Sequence, residues 1–206
     1  MRYYRIKIEP GDKPTIFDSK IGGVAYWTSD KNYPVGANGK PLFLLAQINF
    51  ERFNFEPPLQ NAGMLQFFIS DDDLMGADYE NPTAQKNFRV IYHERIDYQT
   101  RDELKLPHNE QAECLPVYGE LKISFSKEIG DGSEHNPPYH QIFGRPFFTQ
   151  DDPRSDDSEF DTLLLQIDSE GEYVLWGDMG VGNFFIRRQD LIDKNFSDVL
   201  YNWDCC

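Results

Sequence analysis

The residues of this 206-residue chain whose types could do chemistry are four histidines, three cysteines and a dense run of carboxylates. A histidine that acts as general base needs a nucleophile and an orienting group within reach. His93 is followed by Glu94 in "VIYHERI", and His140 stands shortly before Gly144 in "HQIFGRPFF". These two are the candidates for a His-assisted or metal-dependent hydrolase. No pair among His93, His108, His135 and His140 has the HExxH or i, i+4 spacing that sets two imidazoles on one helix face. Pro137-Pro138 breaks any helix near the last two. No GxSxG elbow occurs either, so no catalytic residue is assigned, and His140 reads first as an anchor for the loop that follows it.

The run "QDDPRSDDSEFD" holds Asp151, Asp152, Asp156, Asp157, Glu159 and Asp161. Calcium requires several carboxylate oxygens converging on one point. The run lacks the alternating ligands, central glycine and closing glutamate of a calcium loop, and Pro153 and Arg154 split it. A solvated acidic loop is expected, with Asp151, Asp152, Asp156 and Asp157 available to a cationic partner and no metal held. "WGDMGVG" resembles a phosphate loop only in its glycines. It has no Lys-Ser/Thr pair, and Asp178 would repel an anion, so Gly177 and its neighbours read as a tight turn sealed by Trp176. Cys114 stands alone, and Cys205 and Cys206 are adjacent. An odd count with no spaced framework suits a reducing compartment, so a cytoplasmic location is expected, with no cofactor. The formal charge of −15, from 35 acids and 20 bases, opposes phosphate backbones and argues against nucleic-acid binding. No apolar run approaches the roughly 20 residues of a membrane span, and "MRYYRIKIEP" lacks the features of a signal peptide.

The elements that must position these residues are written twice. Gly23, Ala25, Tyr26, Trp27, Thr28 and Asp30 match Gly144, Pro146, Phe147, Phe148, Thr149 and Asp151. "LLAQINFE" meets "LLLQIDSE", and "GMLQFFISDDDL" meets "GVGNFFIRRQDL", in the same order and at similar spacing. The pattern implies an internal duplication. The first pair of blocks reads as strands buried on both faces, and the second as strands that begin at or just after glycine. Gln47 and Gln166, polar inside apolar runs, need their amides bonded to a backbone edge or to each other. Asp73 and Asp190 are expected to cap short helical turns. Between the repeats, "KNFRVIYHERI" and "GELKISFSKEI" alternate as half-buried antiparallel strands, separated by a polar loop broken at Pro107 and Pro116. The tail is expected to turn helically over 191–195 and then to run as a strand.

The expected fold is α+β and strand-dominated, with two related β-rich units and few short helices. It forms one compact domain over 1–206, with repeat 1 at about 20–75, central strands and loop at about 84–130, and repeat 2 at about 140–195. Aromatic doublets such as Tyr26-Trp27 and Phe147-Phe148 show one ring to each face of an extended chain. They make either a two-sided core or an exposed aromatic groove, in which Trp27 and Phe148 would meet a protein or peptide.

The stretches "SKIGGVAYW", "PLFLLAQINF", "GMLQFFIS", "HQIFGRPFF", "LLLQIDSE", "WGDMGVGNFFI" and "DLIDKNFSDVLYNWDCC" resemble the YwqG-like family of bacterial proteins, in family order and over most of the chain. Ala25 departs from the proline usual there, which Pro146 keeps in the second repeat. The resemblance implies a strand-dominated mixed fold with the duplication, and carries no catalytic residues. Its hint of toxin-locus neighbours points to an immunity-type role. The leading reading is a non-catalytic protein- or peptide-binding module. The alternatives are the hydrolase and a small-molecule binder at the repeat interface.

Overall fold

The computed structural model describes residues 2–59, 63–100, 105–132 and 137–205; His135 and Cys206 fall outside them. Ten strands and one short α-helix make a strand-dominated α+β fold among the described residues. The strands are β1 (Arg2–Ile8), β2 (Lys20–Gly22), β3 (Phe43–Asn49), β4 (Met64–Ile69), β5 (Phe88–His93), β6 (Glu120–Ile129), β7 (Gln141–Ile142), β8 (Thr162–Asp168), β9 (Val181–Ile186) and β10 (Leu200–Asp204). The helix α1 (Arg188–Ile192) precedes β10, and a 3-10 turn (Asn109–Gln111) lies in the central loop. Hydrogen-bonded neighbours run β10-β9-β8-β7-β1-β6-β2-β3-β4-β5.

The chain divides into two compact units. The β3–β4 unit comprises residues 8–76 and 85–123, and the β8–β9 unit comprises 1–7, 77–84 and 124–206. In the first, Leu44 pairs with Phe68, Ala46 with Phe67, Gln47 with Gln66 and Asn49 with Met64, and a bulge lies between Leu44 and Ala46. In the second, Leu163 pairs with Phe185, Leu165 with Phe184, Gln166 with Asn183 and Asp168 with Val181, and a bulge lies between Leu163 and Leu165. The two ladders therefore share register and bulge position, residue for residue.

All residues of β4 and β9 are buried, so each aromatic doublet there gives both rings to the core. Trp27, Leu44 and Phe68 belong to one apolar cluster, and Leu163, Phe185 and Leu200, with Phe148 packed against them, form another. Gly23 and Gly144 stand at φ +76° and +81°, where a Cβ would meet the Glu120 side chain at the first and the Asp131 carbonyl and Tyr3 at the second.

The amides in the apolar runs are bonded within their own units. Gln47 Oε1 accepts from Tyr26 N (3.0 Å) and Gln66 Nε2 (3.1 Å), and its Nε2 donates to the carbonyls of Ile16 and Asp18 (2.7 and 2.8 Å). Gln166 Oε1 accepts from Phe147 N (2.7 Å), and its Nε2 donates to Tyr139 O (2.6 Å).

The expected caps fall elsewhere. After β4 it is Asp72 that accepts from the amides of Leu74 and Gly76, both at 3.0 Å, while Asp73 lies inside the turn. The N-cap of α1 is Arg187, without a side-chain cap bond, and Asp190 sits inside the helix, bonded to Arg187 and Asn195. An aspartate caps only where its oxygen precedes the free amides by two or three residues, and both helical turns start earlier than the apolar pattern implies.

The outermost strands carry backbone cover. In β10, Tyr201 N donates to Pro82 O (2.9 Å) and Trp203 O accepts from the Tyr79 hydroxyl (3.0 Å). In β5, Val90 N donates to Gln85 Oε1 (2.8 Å).

Candidate functional site

His93 ends β5 and is 1% exposed. Gln66 fixes its tautomer. The Gln66 amide nitrogen donates to Tyr26 O (2.8 Å) and Gln47 Oε1 (3.1 Å), so its oxygen must face His93, whose Nε2 donates to it at 2.8 Å. Nδ1 is left as an acceptor, and Lys31 Nζ lies 3.3 Å from it. Burial, with Lys31 beside it and Asp30 opposing, pushes the His93 pKa down to about 4, so the ring is neutral at pH 7. Tyr26 and Trp27 meet the imidazole edge-on, with centroids 5.2 and 5.3 Å away. Glu94, the next residue, is exposed.

His140 is fully buried in the β8–β9 unit. Asp168 N donates to its Nδ1 at 2.9 Å, so the proton sits on Nε2, which donates to Glu170 Oε2 at 2.9 Å. Asp168 in turn accepts from Tyr139 N, and burial raises its carboxyl above the usual range. Both rings thus spend each nitrogen on the protein itself, and neither has a lone pair left for a substrate proton.

In front of His93 the β3–β4 unit opens a cleft of about 610 Å³, within the usual size range of ligand sites. Tyr26, Asp30, Lys31, His93, Arg95 and Asp97 line it, with the hydroxyls of Thr28, Ser29 and Thr100. A turn presents Lys31: its N–H donates to Thr28 O (3.2 Å), and Trp27 Nε1 donates to its carbonyl (2.9 Å). Asp97 is fixed through its own amide, which donates to the Tyr26 hydroxyl at 2.8 Å, and its carboxylate accepts from Gln99 N at 2.9 Å. The Thr28 hydroxyl holds Asp30 below the usual carboxylate range. Among the described residues, Lys31 makes no ion pair and Arg95 makes neither an ion pair nor a hydrogen bond. Of these residues only His93 stands out in the sequence. Lys31 and Arg95 are ordinary surface residues by type, 62 and two positions from His93, and Lys31 comes to the ring because the backbone of Tyr26 is bonded to Gln47 and Gln66.

A model of the family described as "domain of unknown function (DUF1963)" matches residues 19–205. The chain belongs to the DUF1963 family. The match spans the segments of YwqG-like resemblance, and a comparison with curated proteins finds no match.

The other sequence-selected residues of this DUF1963 chain are spread over both units. Trp27 is 4% exposed, packed on Tyr33, Phe68 and His93. Phe148 is half-buried on Phe185, and Phe147 is 37% exposed and stacked on Tyr139. Asp151, Asp152, Asp156 and Asp157 are exposed in one loop. Arg154 clamps Asp152 at 2.7 and 2.9 Å while its guanidinium lies 4.1 Å over the Phe185 ring. Although burial opposes ionisation, these bonds hold Asp152 below the usual carboxylate range. Pro146 is half-buried beside Phe147. Trp176 is fully buried, and Gly177 and Asp178 are exposed in the turn that follows it. Gly180 N closes that turn onto Trp176 O at 2.7 Å. Among the described residues no group of three His, Cys, Asp or Glu side chains could hold a metal ion, and no helix is long and apolar enough to cross a membrane.

Proposed function

We propose that this DUF1963 chain is a non-catalytic binding module built from a duplicated β unit, and that the β3–β4 unit takes a peptide segment of a partner in its cleft. The observation that carries the reading is the cleft itself: about 610 Å³, with Lys31 and Arg95 lacking ion-pair partners among the described residues. The committed ring nitrogens of His93 and His140 weigh against the hydrolase alternative. The duplication is supported by the matched registers and bulges of β3–β4 and β8–β9, and by the equivalent bonds from Tyr26 N to Gln47 and Phe147 N to Gln166.

Panning a random peptide library against the protein tests the reading, with Lys31→Glu and Arg95→Glu as counter-selection. Sequences that bind the wild type and lose both variants are expected. No enrichment, or enrichment indifferent to the variants, counts against it.

The acidic loop supports a second surface, for a cationic partner. Arg154 neutralises Asp152 alone and leaves Asp151, Asp156 and Asp157 exposed. Reversing those three charges should weaken such a partner, and unchanged binding would remove this surface from consideration.

A further inference from the structure

The unpaired donors of the cleft define a chemistry more specific than peptide binding, and the inference rests on that reading. An ammonium carries three donors and a guanidinium five. Lys31 directs one toward His93 Nδ1, which accepts because Gln66 holds the ring's proton on Nε2. The other Lys31 donors and those of Arg95 have no acceptor among the described residues. Asp30 and Asp97 make no direct ion pair with either among the described residues: the first is bonded to Thr28 and feels Lys31 only through space, and the second caps Gln99 N. We infer that the cleft holds a peptide carboxylate, seated on Lys31 with Arg95 as second donor and His93 as the fixed rest behind the ammonium.

The same two aspartates disfavour a dianion such as phosphate, because like charges a few ångström apart repel in proportion to ligand charge. A monoanion avoids most of that cost, and bonds from charged donors are roughly twice as strong as neutral ones. The chain's net charge of −15 opposes anions only at long range, and screening cuts that field within about 8 Å at physiological salt. A carboxylate can come from a peptide terminus or from an acidic side chain. Both present the same planar pair of oxygens to Lys31 and Arg95.

Calorimetry against four probes tests the inference: acetyl-Ala-Ala with a free terminus, the same peptide amidated, acetyl-Ala-Asp-Ala-amide, and inorganic phosphate. The ¹⁵N shift of His93 Nδ1 reports the site. Binding of the free terminus, the aspartate peptide or both, with a moved His93 shift, is expected. Lys31→Gln and Arg95→Gln, at exposed positions and checked for unchanged melting temperature, should each weaken binding about tenfold. The terminus and side-chain arms tell which source is read. Equal binding of the amidated dipeptide, tighter binding of phosphate, or no binding by any probe overturns the inference. If library peptides still bind through the cleft in those cases, the peptide reading stands without it.

Discussion

Acidification acts on this fold through His93 in a way that can be worked out in advance. Its folded pKa of about 4 lies below the ordinary value of 6.5, because burial disfavours the imidazolium and Lys31 repels it. Above pH 6.5 the ring is neutral folded and unfolded, so it adds no pH dependence. As pH falls below 6.5 the unfolded chain takes up a proton that the folded chain refuses, and stability is lost until pH reaches the folded value. The loss amounts to about 1.4 kcal/mol at pH 5.5 and about 2.5 kcal/mol at pH 4.5. Carboxylates titrate in the same range, so the measurement is a difference. Urea unfolding of wild type and His93→Gln is followed from pH 7.5 to 4.5. The variant loses the Gln66 bond at every pH, which lowers its curve without tilting it. Its stability should fall less steeply than that of the wild type, by about the amounts above. Parallel curves, or an imidazole that titrates near 6.5 by NMR, would refute the burial argument.

Lys20 in β2 is fully buried, with its ammonium 2.6 Å from Glu120 Oε1. Glu120→Ala should cost about 3–5 kcal/mol in the midpoint of denaturant unfolding, because the buried ammonium loses its carboxylate. The double change Lys20→Met with Glu120→Leu should lie closer to wild type, since it removes both charges together. Gln47→Leu should cost at least about 3 kcal/mol, and Gln166→Leu roughly half as much, because each buried group left unbonded costs about 1–3 kcal/mol. Gln47 makes four such bonds and Gln166 two. Equal losses in urea titration would mean that the extra bonds of Gln47 are compensated.

Much of the scaffold was readable from residue pattern. The apolar runs gave β3 and β8, and glycine followed by aromatic doublets gave β4 and β9. The alternation of Phe88 with Val90 gave β5, and the β-favouring tail gave β10 after α1. β1 passed unread, although Tyr4, Ile6 and Ile8 alternate with Arg5 and Lys7. β2 was hidden by its chemistry, since a lysine inside a three-residue strand reads as surface, while its ammonium meets Glu120, a hundred positions away. The candidate site was less legible still. His93 stood out by type, but the lysine that faces it lies in a turn with no periodicity. Its partner amide, Gln66, reads as one polar residue in an apolar run. The caps lie one to three residues before the aspartates that side-chain type singles out: Asp72 takes the free amides after β4, and Arg187 stands at the N-cap of α1.

The covered outer strands limit how this protein can meet other chains. A free strand edge is a template that any extended segment can copy, its own kind included. Here Pro82 and Tyr79 occupy the rim of β10, and Gln85 answers for an amide of β5. Sheet extension would therefore have to displace this cover at β10 and the Gln85 bond at β5. Selectivity in such a molecule must be written in side chains, and it can change by substitution without disturbing the ladder beneath.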